Sequence, residues 1–321
     1  MDILHLLSTN LLSPLVLAFV LGGVATLVRS DLRFPDELYQ GLSIYLLLAI
    51  GLKGGAELSA TPLATVVLPI VATLLLGVST PVWSYGILRR LGRFGVADSA
   101  AIAAHGGAVS VVPLLPALSF LIAQGDPHEG FLPALVALLE VPAILVALGL
   151  ARLGGGETDL LGVLREVAVS KSVLLLAGGL AIGLATGKAG MARVEPFFVA
   201  PFQGVLTLFL LEMGMVAARR LRDFRRAGAF LIGFALLMPL IHGALGVAVG
   251  RWVGLGLGGS TVLGVLAATA SYIAAPAAVR VSLPEANPSL YLTASLAITF
   301  PFNLALGIPY CYALARWFGG D

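Results

Sequence analysis

Long apolar runs alternate along this chain with short clusters of charged residues, glycine and proline. The runs are apolar at nearly every position, so they predict helices that are apolar on all sides and not the alternating strands of a membrane barrel. Most of them reach the roughly 20 residues that a helix needs to cross a bilayer. The predicted spans are about 11–28, 38–57, 62–88, 97–123, 131–151, 165–186, 196–217, 227–250, 258–281 and 289–317.

Composition agrees with a multi-pass membrane protein. Of the 321 residues, 59% are hydrophobic and 11% are charged, whereas a soluble domain has about a quarter of charged residues. The first run has no basic segment before it and no cleavage site after it, which predicts a retained span and not a signal peptide. The single cysteine, Cys311, excludes an intrachain disulfide. Because no metalloenzyme spacing, phosphate loop or nucleophile elbow appears, we expect neither an enzyme nor a bound cofactor.

Three pairs of segments resemble each other at a separation of about 160 residues. The pairs are Ala49–Leu58 with Glu212–Leu221, Ala103–Pro113 with Ala267–Ala277, and Glu140–Gly156 with Thr299–Gly320. The repeat predicts an all-α polytopic membrane protein with two five-helix halves, residues 1–153 and 164–321, joined by a short cytoplasmic linker at 154–163. Since five is odd, the second half must enter the membrane from the opposite side, as in the inverted repeats of secondary transporters.

The basic residues predict the orientation. Most of the 19 lysines and arginines fall in the odd-numbered loops, which the positive-inside rule places in the cytoplasm, with both termini outside. We therefore expect a cytoplasmic (inner) membrane protein. The basic cluster Arg219–Arg226 is interpreted as a topology and lipid-contact signal, and no nucleic-acid partner is expected.

Two of the predicted spans, the fourth and the ninth, are interrupted. The segment HGGAVSVVPLLP at 105–116 contains glycines that allow unwinding, and Pro113 lacks a backbone donor. The matching positions of the other half are Thr269, Ser271, Tyr272 and Pro276. Two interrupted helices that cross would point half-helix N-termini at a common centre, where the free N–H groups favour an anion. Freed carbonyls and hydroxyls nearby suit a small cation, so the pattern predicts symport of an anion with a cation.

Ionisable residues inside the predicted spans are candidates for ion coupling. Glu140 lies within an apolar run and is a candidate for binding Na⁺ or for carrying a proton. His105 is either a proton carrier or a neutral hydrogen-bonding residue, and both interpretations remain open. Glu212 belongs to the same polar system or pairs with Lys53 of the equivalent span. The predicted ion-coupling residues are His105, Ser110, Glu140, Ser271 and Thr299.

Several motifs are similar to those of the sodium-dependent bicarbonate transporter family (SbtA type) of cyanobacteria and related bacteria. The motifs are GLKGGAEL, GGAVS, LLEVPA, MGM before a basic turn, and ASYIAAPAAVRVSLPEANPSLYLTASLAIT. The resemblance runs along nearly the whole chain. It implies ten spans with broken crossing helices 4 and 9, a homotrimer, and binding of bicarbonate and Na⁺ between those helices. The resemblance implies that Gly107, Ala108, Ser110, Thr269 and Ser271 bind the substrate, with Glu140 in the place of the family's aspartate. The interruptions themselves add Gly106, Ala270 and Tyr272 to the predicted substrate-binding residues.

The chain also departs from the cyanobacterial pattern. Val112 and Pro113 replace hydroxyl residues, Val111 replaces a glycine, and Tyr272 replaces an aspartate. The short linker does not favour a PII-like regulatory partner. Three functions therefore remain open: Na⁺-coupled uptake of bicarbonate or a similar small monovalent anion, proton-coupled transport of an organic anion, and a transport-inactive membrane receptor or scaffold of the same fold.

Overall fold

The computed structural model describes residues 3–109, 111–154, 161–162, 165, 168–220, 224–271 and 274–319. Throughout these ranges the chain is helical between short turns, and they contain no strand. The helices are α1 (Ile3–Leu11), α2 (Pro14–Leu27), α3 (Asp36–Ser59), α4 (Leu63–Arg90), α5 (Val96–Gly107), α6 (Val111–Gln124), α7 (Leu132–Leu153), α8 (Lys171–Phe198), α9 (Phe202–Arg220), α10 (Phe224–Trp252), α11 (Leu257–Ala268), α12 (Ala274–Ser282) and α13 (Pro288–Gly319).

Six helices among the described residues are long and apolar enough to cross a membrane, and several shorter ones are also apolar. The six are α3, α4, α8, α9, α10 and α13. The all-helical, multi-pass character that the sequence predicts is therefore confirmed. Each predicted span lies mainly on one helix or, for the fourth and the ninth, on a consecutive pair of helices.

Some predicted bounds were wrong. The sixth span was expected at 165–186, but α8 runs from Lys171 to Phe198. Ser170 sets the start of α8, because its side chain accepts a hydrogen bond from the Val173 amide. Gly187, with a φ of +60°, has a non-helical backbone and forms a kink between two helical segments of this range. The short helix α1 at the N-terminus was not predicted.

The helices form two groups, which we call the panel and the core. In the panel, α3 packs along α8 and α2 packs along α9. In the core, α4 and α5 pack against α7, and α10 and α11 pack against α13. Helix α6 contacts α11, and α12 contacts α5, so the interrupted pairs lie in the core.

Glycines hold the panel together. Gly22 on α2 faces the backbone of Leu211, and Gly214 on α9 faces the backbone of Phe19. A Cβ at either glycine would overlap the facing carbonyl oxygen. Such close backbone approach is the usual way in which small residues pack membrane helices. Gly51 and Gly183 serve the same purpose where α3 crosses α8.

We expect Gly22→Ala to destabilise the protein, because the added Cβ would collide with the Leu211 carbonyl, whose backbone cannot move freely. Overpacking of this kind costs about 1–3 kcal/mol. Thermal unfolding of the purified protein in detergent would measure the loss.

The matched control is Gly23→Ala on the same helix, where the nearest atom to a new Cβ is the Gly214 carbonyl oxygen at 3.8 Å. This distance is an ordinary van der Waals contact, so the substitution should be neutral or slightly stabilising. Equal melting temperatures for the two variants would contradict the packing described for α2 and α9.

Candidate functional site

The two interrupted helices meet at their breaks. Helix α5 ends at Gly107 and α6 begins at Val111, while α11 ends at Ala268 and α12 begins at Ala274. The backbone N–H of Ser271 donates to the backbone carbonyl of His105 at 2.8 Å. Pro113 and Pro276 each lie in the first turn of the following helix, a position where proline's missing N–H has little cost. Each break therefore precedes its proline and lies against the other break.

The outer parts of the same helices are also tied together. The Gly256 amide at the start of α11 donates to Glu129, in the turn after α6, at 2.7 Å. At the opposite end, the Asn287 amide just before α13 donates at 2.7 Å to Asp98, in the first turn of α5. Each interrupted pair is thus held to the other at both ends and in the middle. A carboxylate near a helix N-terminus is also favoured by the helix dipole.

A narrow cavity lies where the breaks meet. The space open to the centre of a water-sized molecule is about 20 Å³, on the order of one such molecule. Its polar wall residues are Ser84, His105, His242, Thr269, Tyr291, Ser295 and Thr299. The rest of the described wall is apolar apart from the Gly106 and Ala270 backbone, and it contains no lysine, arginine, aspartate or glutamate.

Two histidines in the wall differ in their hydrogen bonds. His242 accepts at Nε2 from the Trp83 indole N–H at 2.7 Å, and its imidazole also bonds to the Gly106 carbonyl. His105 bonds through Nδ1 to the Ala101 carbonyl at 2.7 Å. Its Nε2 is buried and has no hydrogen-bond partner among the described residues. Both side chains are 2% exposed.

Helix α13 forms one side of the cavity wall. It contains π-helical turns at Thr293–Thr299 and Asn303–Gly307, a local irregularity that often accompanies functional sites. The Thr299 hydroxyl donates to the Ala235 carbonyl at 2.8 Å, and the Asn303 amide donates to the Ala268 carbonyl at 2.6 Å. The last carbonyl of α11 is therefore satisfied by a side chain of α13.

The structure brings five of the sequence-predicted residues to the cavity wall, namely His105, Gly106, Thr269, Ala270 and Thr299. Three others lie close by and outside the wall. Gly107 packs on α4, where a Cβ would lie 2.9 Å from Pro81. Ala108 is the C-cap residue that follows α5. The Ser271 hydroxyl accepts a hydrogen bond from the Ala275 amide at 3.3 Å. Their binding roles remain predictions.

The other three predicted residues fall wholly or partly outside the described part of the structure. Ser110 and Tyr272 lie outside the described residues. Glu140 belongs to α7, and its side chain is outside the described part of the structure. The alternative pairing of Glu212 with Lys53 was wrong, because the buried Glu212 carboxylate lies 3.5 Å from Arg219 on its own helix.

Sequence reasoning missed Ser84 and gave His242 only a packing role. A signal for both was present. Ser84 follows Pro81 by three residues on α4, and His242 follows Pro239 by three residues on α10. The two pairs are separated by about 160 residues, the same offset as the repeat. A proline with a polar residue one turn later, at matched positions of both halves, marks the cavity.

Apolar helices of spanning length that surround a buried cavity define a multi-pass helical membrane protein with an internal site. A comparison with protein families identifies its kind. The chain belongs to the Na⁺-dependent bicarbonate transporter superfamily, whose family model matches residues 14–316. No curated protein matches the chain. The family resemblance expected from the sequence is therefore confirmed.

Because Asn303 satisfies the end of α11, we expect Asn303→Leu to leave the buried Ala268 carbonyl without its side-chain donor. An unsatisfied buried polar group costs about 1–3 kcal/mol. The melting temperature should fall. Anion uptake per folded molecule should also fall, so the loss of uptake should exceed the loss of folded protein.

Asn10→Leu is the comparison variant. Asn10 also donates to backbone carbonyls of α13, at Leu304 and Ala305, but it lies away from the cavity wall. It should lose stability while the uptake per folded molecule is retained. If both variants lose uptake to the same degree, Asn303 has no special role at the site.

Proposed function

We propose that this protein is a secondary transporter that couples inward movement of Na⁺ to uptake of bicarbonate or a similar small monovalent anion. The observation that carries the proposal is the cavity between the two interrupted helices, in a chain that belongs to a bicarbonate transporter family. We place the protein in the bacterial inner membrane with both termini outside, and we expect a homotrimer, as the resemblance implies.

Charge balance favours coupling to a cation. The described cavity wall has no cationic side chain, and transfer of an isolated anion into an apolar site is very costly. Helix N-termini contribute only about half a positive charge each. A bound Na⁺ would supply the missing charge, and Na⁺ would then be required for anion binding. This requirement is a physical basis for symport.

The narrow cavity favours a small anion over an organic one. Its space is on the order of a single water-sized molecule. Bicarbonate has four heavy atoms and would need only a modest separation of the walls. A larger carboxylic acid would require displacement of Tyr291 and of the α10 side chains. We therefore prefer the first of the three functions suggested by the sequence.

The helix contacts support two inverted halves and alternating access. If α2 and α3 correspond to α8 and α9, the contacts of α3 with α8 and of α2 with α9 become equivalent. In the same way, α4 with α5 would match α10 with α11. We propose that the panel and the core move against each other, so that the cavity opens first to one side and then to the other.

Uptake of labelled bicarbonate into proteoliposomes tests the proposal. Wild-type protein should accumulate bicarbonate only with an inward Na⁺ gradient. Glu140→Gln should reduce the uptake by at least about tenfold, since an intramembrane carboxylate is the predicted cation ligand. The control is Glu57→Gln, which makes the same change in a partly exposed ion pair with Lys188 at 3.4 Å and should keep nearly full uptake.

Other outcomes would select the other functions. Uptake that ignores Na⁺ and is abolished by a proton uncoupler would replace sodium coupling with proton coupling. A folded protein that transports no tested anion would be a receptor or scaffold.

A further inference from the structure

His105 lines the cavity, and its imidazole has an unused hydrogen-bond acceptor. The Ala101 carbonyl, 2.7 Å from Nδ1, can only accept a hydrogen bond. Nδ1 must therefore carry a proton. In the neutral ring the other nitrogen, Nε2, then has a lone pair and no proton.

Two contacts hold the ring in place. It packs on Tyr291 in a tilted arrangement, with ring centroids 4.6 Å apart and an interplanar angle of 30°. Together with the bond to Ala101, this contact fixes which way Nε2 points. Nε2 is buried and has no partner among the described residues. A buried polar atom of this kind normally has a partner, from the protein, from water or from a ligand.

His242 provides the internal comparison. Its ring lines the same cavity, but its Nε2 already accepts from Trp83 and its imidazole also bonds to the Gly106 carbonyl. It has no acceptor left for a ligand. Among the side-chain atoms of the described wall, Nε2 of His105 and the hydroxyl oxygen of Ser84 are the buried ones without a partner.

We propose that Nε2 of His105 accepts a hydrogen bond from the O–H group of the transported anion, and that the site thereby selects monoanions that carry a proton. The inference rests on the proposed function and specifies how its substrate is recognised. Bicarbonate has one O–H donor and two further oxygens, to which the Ser84 hydroxyl can donate. Nitrate is also a planar monoanion of three oxygens, but it has no proton, so it leaves Nε2 unpaired.

A site built to bond a ligand's O–H rejects the analogue without it much more strongly than a site that recognises shape alone. Wild-type protein in proteoliposomes should therefore bind bicarbonate at least about 100-fold more tightly than nitrate. The ratio is obtained from competition of nitrate against labelled bicarbonate uptake, at a fixed Na⁺ concentration and at a pH where bicarbonate is the main form of inorganic carbon. Thermal stabilisation by each anion gives the same ratio without transport.

In His105→Phe the ring and its contact with Tyr291 are kept, but the acceptor is lost. Bicarbonate affinity should fall by roughly 10- to 100-fold while nitrate affinity stays constant. The ratio of bicarbonate affinity to nitrate affinity should therefore fall by the same factor. His105→Gln retains an acceptor oxygen and should restore part of the ratio. His242→Phe is the matched control and should change both affinities alike.

Two results would overturn the inference alone while bicarbonate uptake stays Na⁺-dependent. One is a wild-type protein that binds nitrate as tightly as bicarbonate, a result that needs no variant to fold. The other is a His105→Phe protein with an unchanged ratio. A wild-type protein that neither binds nor transports bicarbonate would overturn the proposed function and this inference together.

Discussion

The need to satisfy backbone hydrogen bonds away from water constrains the centre of this protein. A helix that breaks in an apolar interior frees N–H and C=O groups, each of which costs several kcal/mol if left unpaired. Here the two breaks lie against each other, and the Ser271 amide bonds to the His105 carbonyl. Asn303 bonds to the last carbonyl of α11. The backbone groups freed at each break therefore find hydrogen-bond partners in other parts of the core.

The panel and the core meet this constraint in different ways. The panel helices meet through glycines such as Gly22 and Gly214, with backbone against backbone. Contacts of this kind need no polar side chains. The core contains the breaks, most of the buried hydroxyls and both cavity histidines. The cavity and the side chains that line it therefore belong to the core helices.

The sequence predicted the helical runs and the interrupted segments well, because both leave local signals. Hydrophobic length marks a span, and glycine with proline marks a break. The other walls of the cavity were harder to predict. Ser84 and His242 lie on regular helices, α4 and α10, and only tertiary packing brings them to the breaks. The error with Glu212 has a related origin, since a partner on the same helix, Arg219, replaced the expected partner on another.

Hydrogen-bond capacity, and not side-chain charge, is what the described cavity wall offers a ligand. Two histidines of equal burial line it, yet their neighbours give them different chemistry. Trp83 and Gly106 engage the ring of His242, which then helps to hold the break of α5 in place. Ala101 uses only one nitrogen of His105 and leaves the other as a directional acceptor. A wall without cationic side chains cannot retain every anion that fits, so recognition must depend on where each ligand places its donors and acceptors, and on the cation that accompanies it.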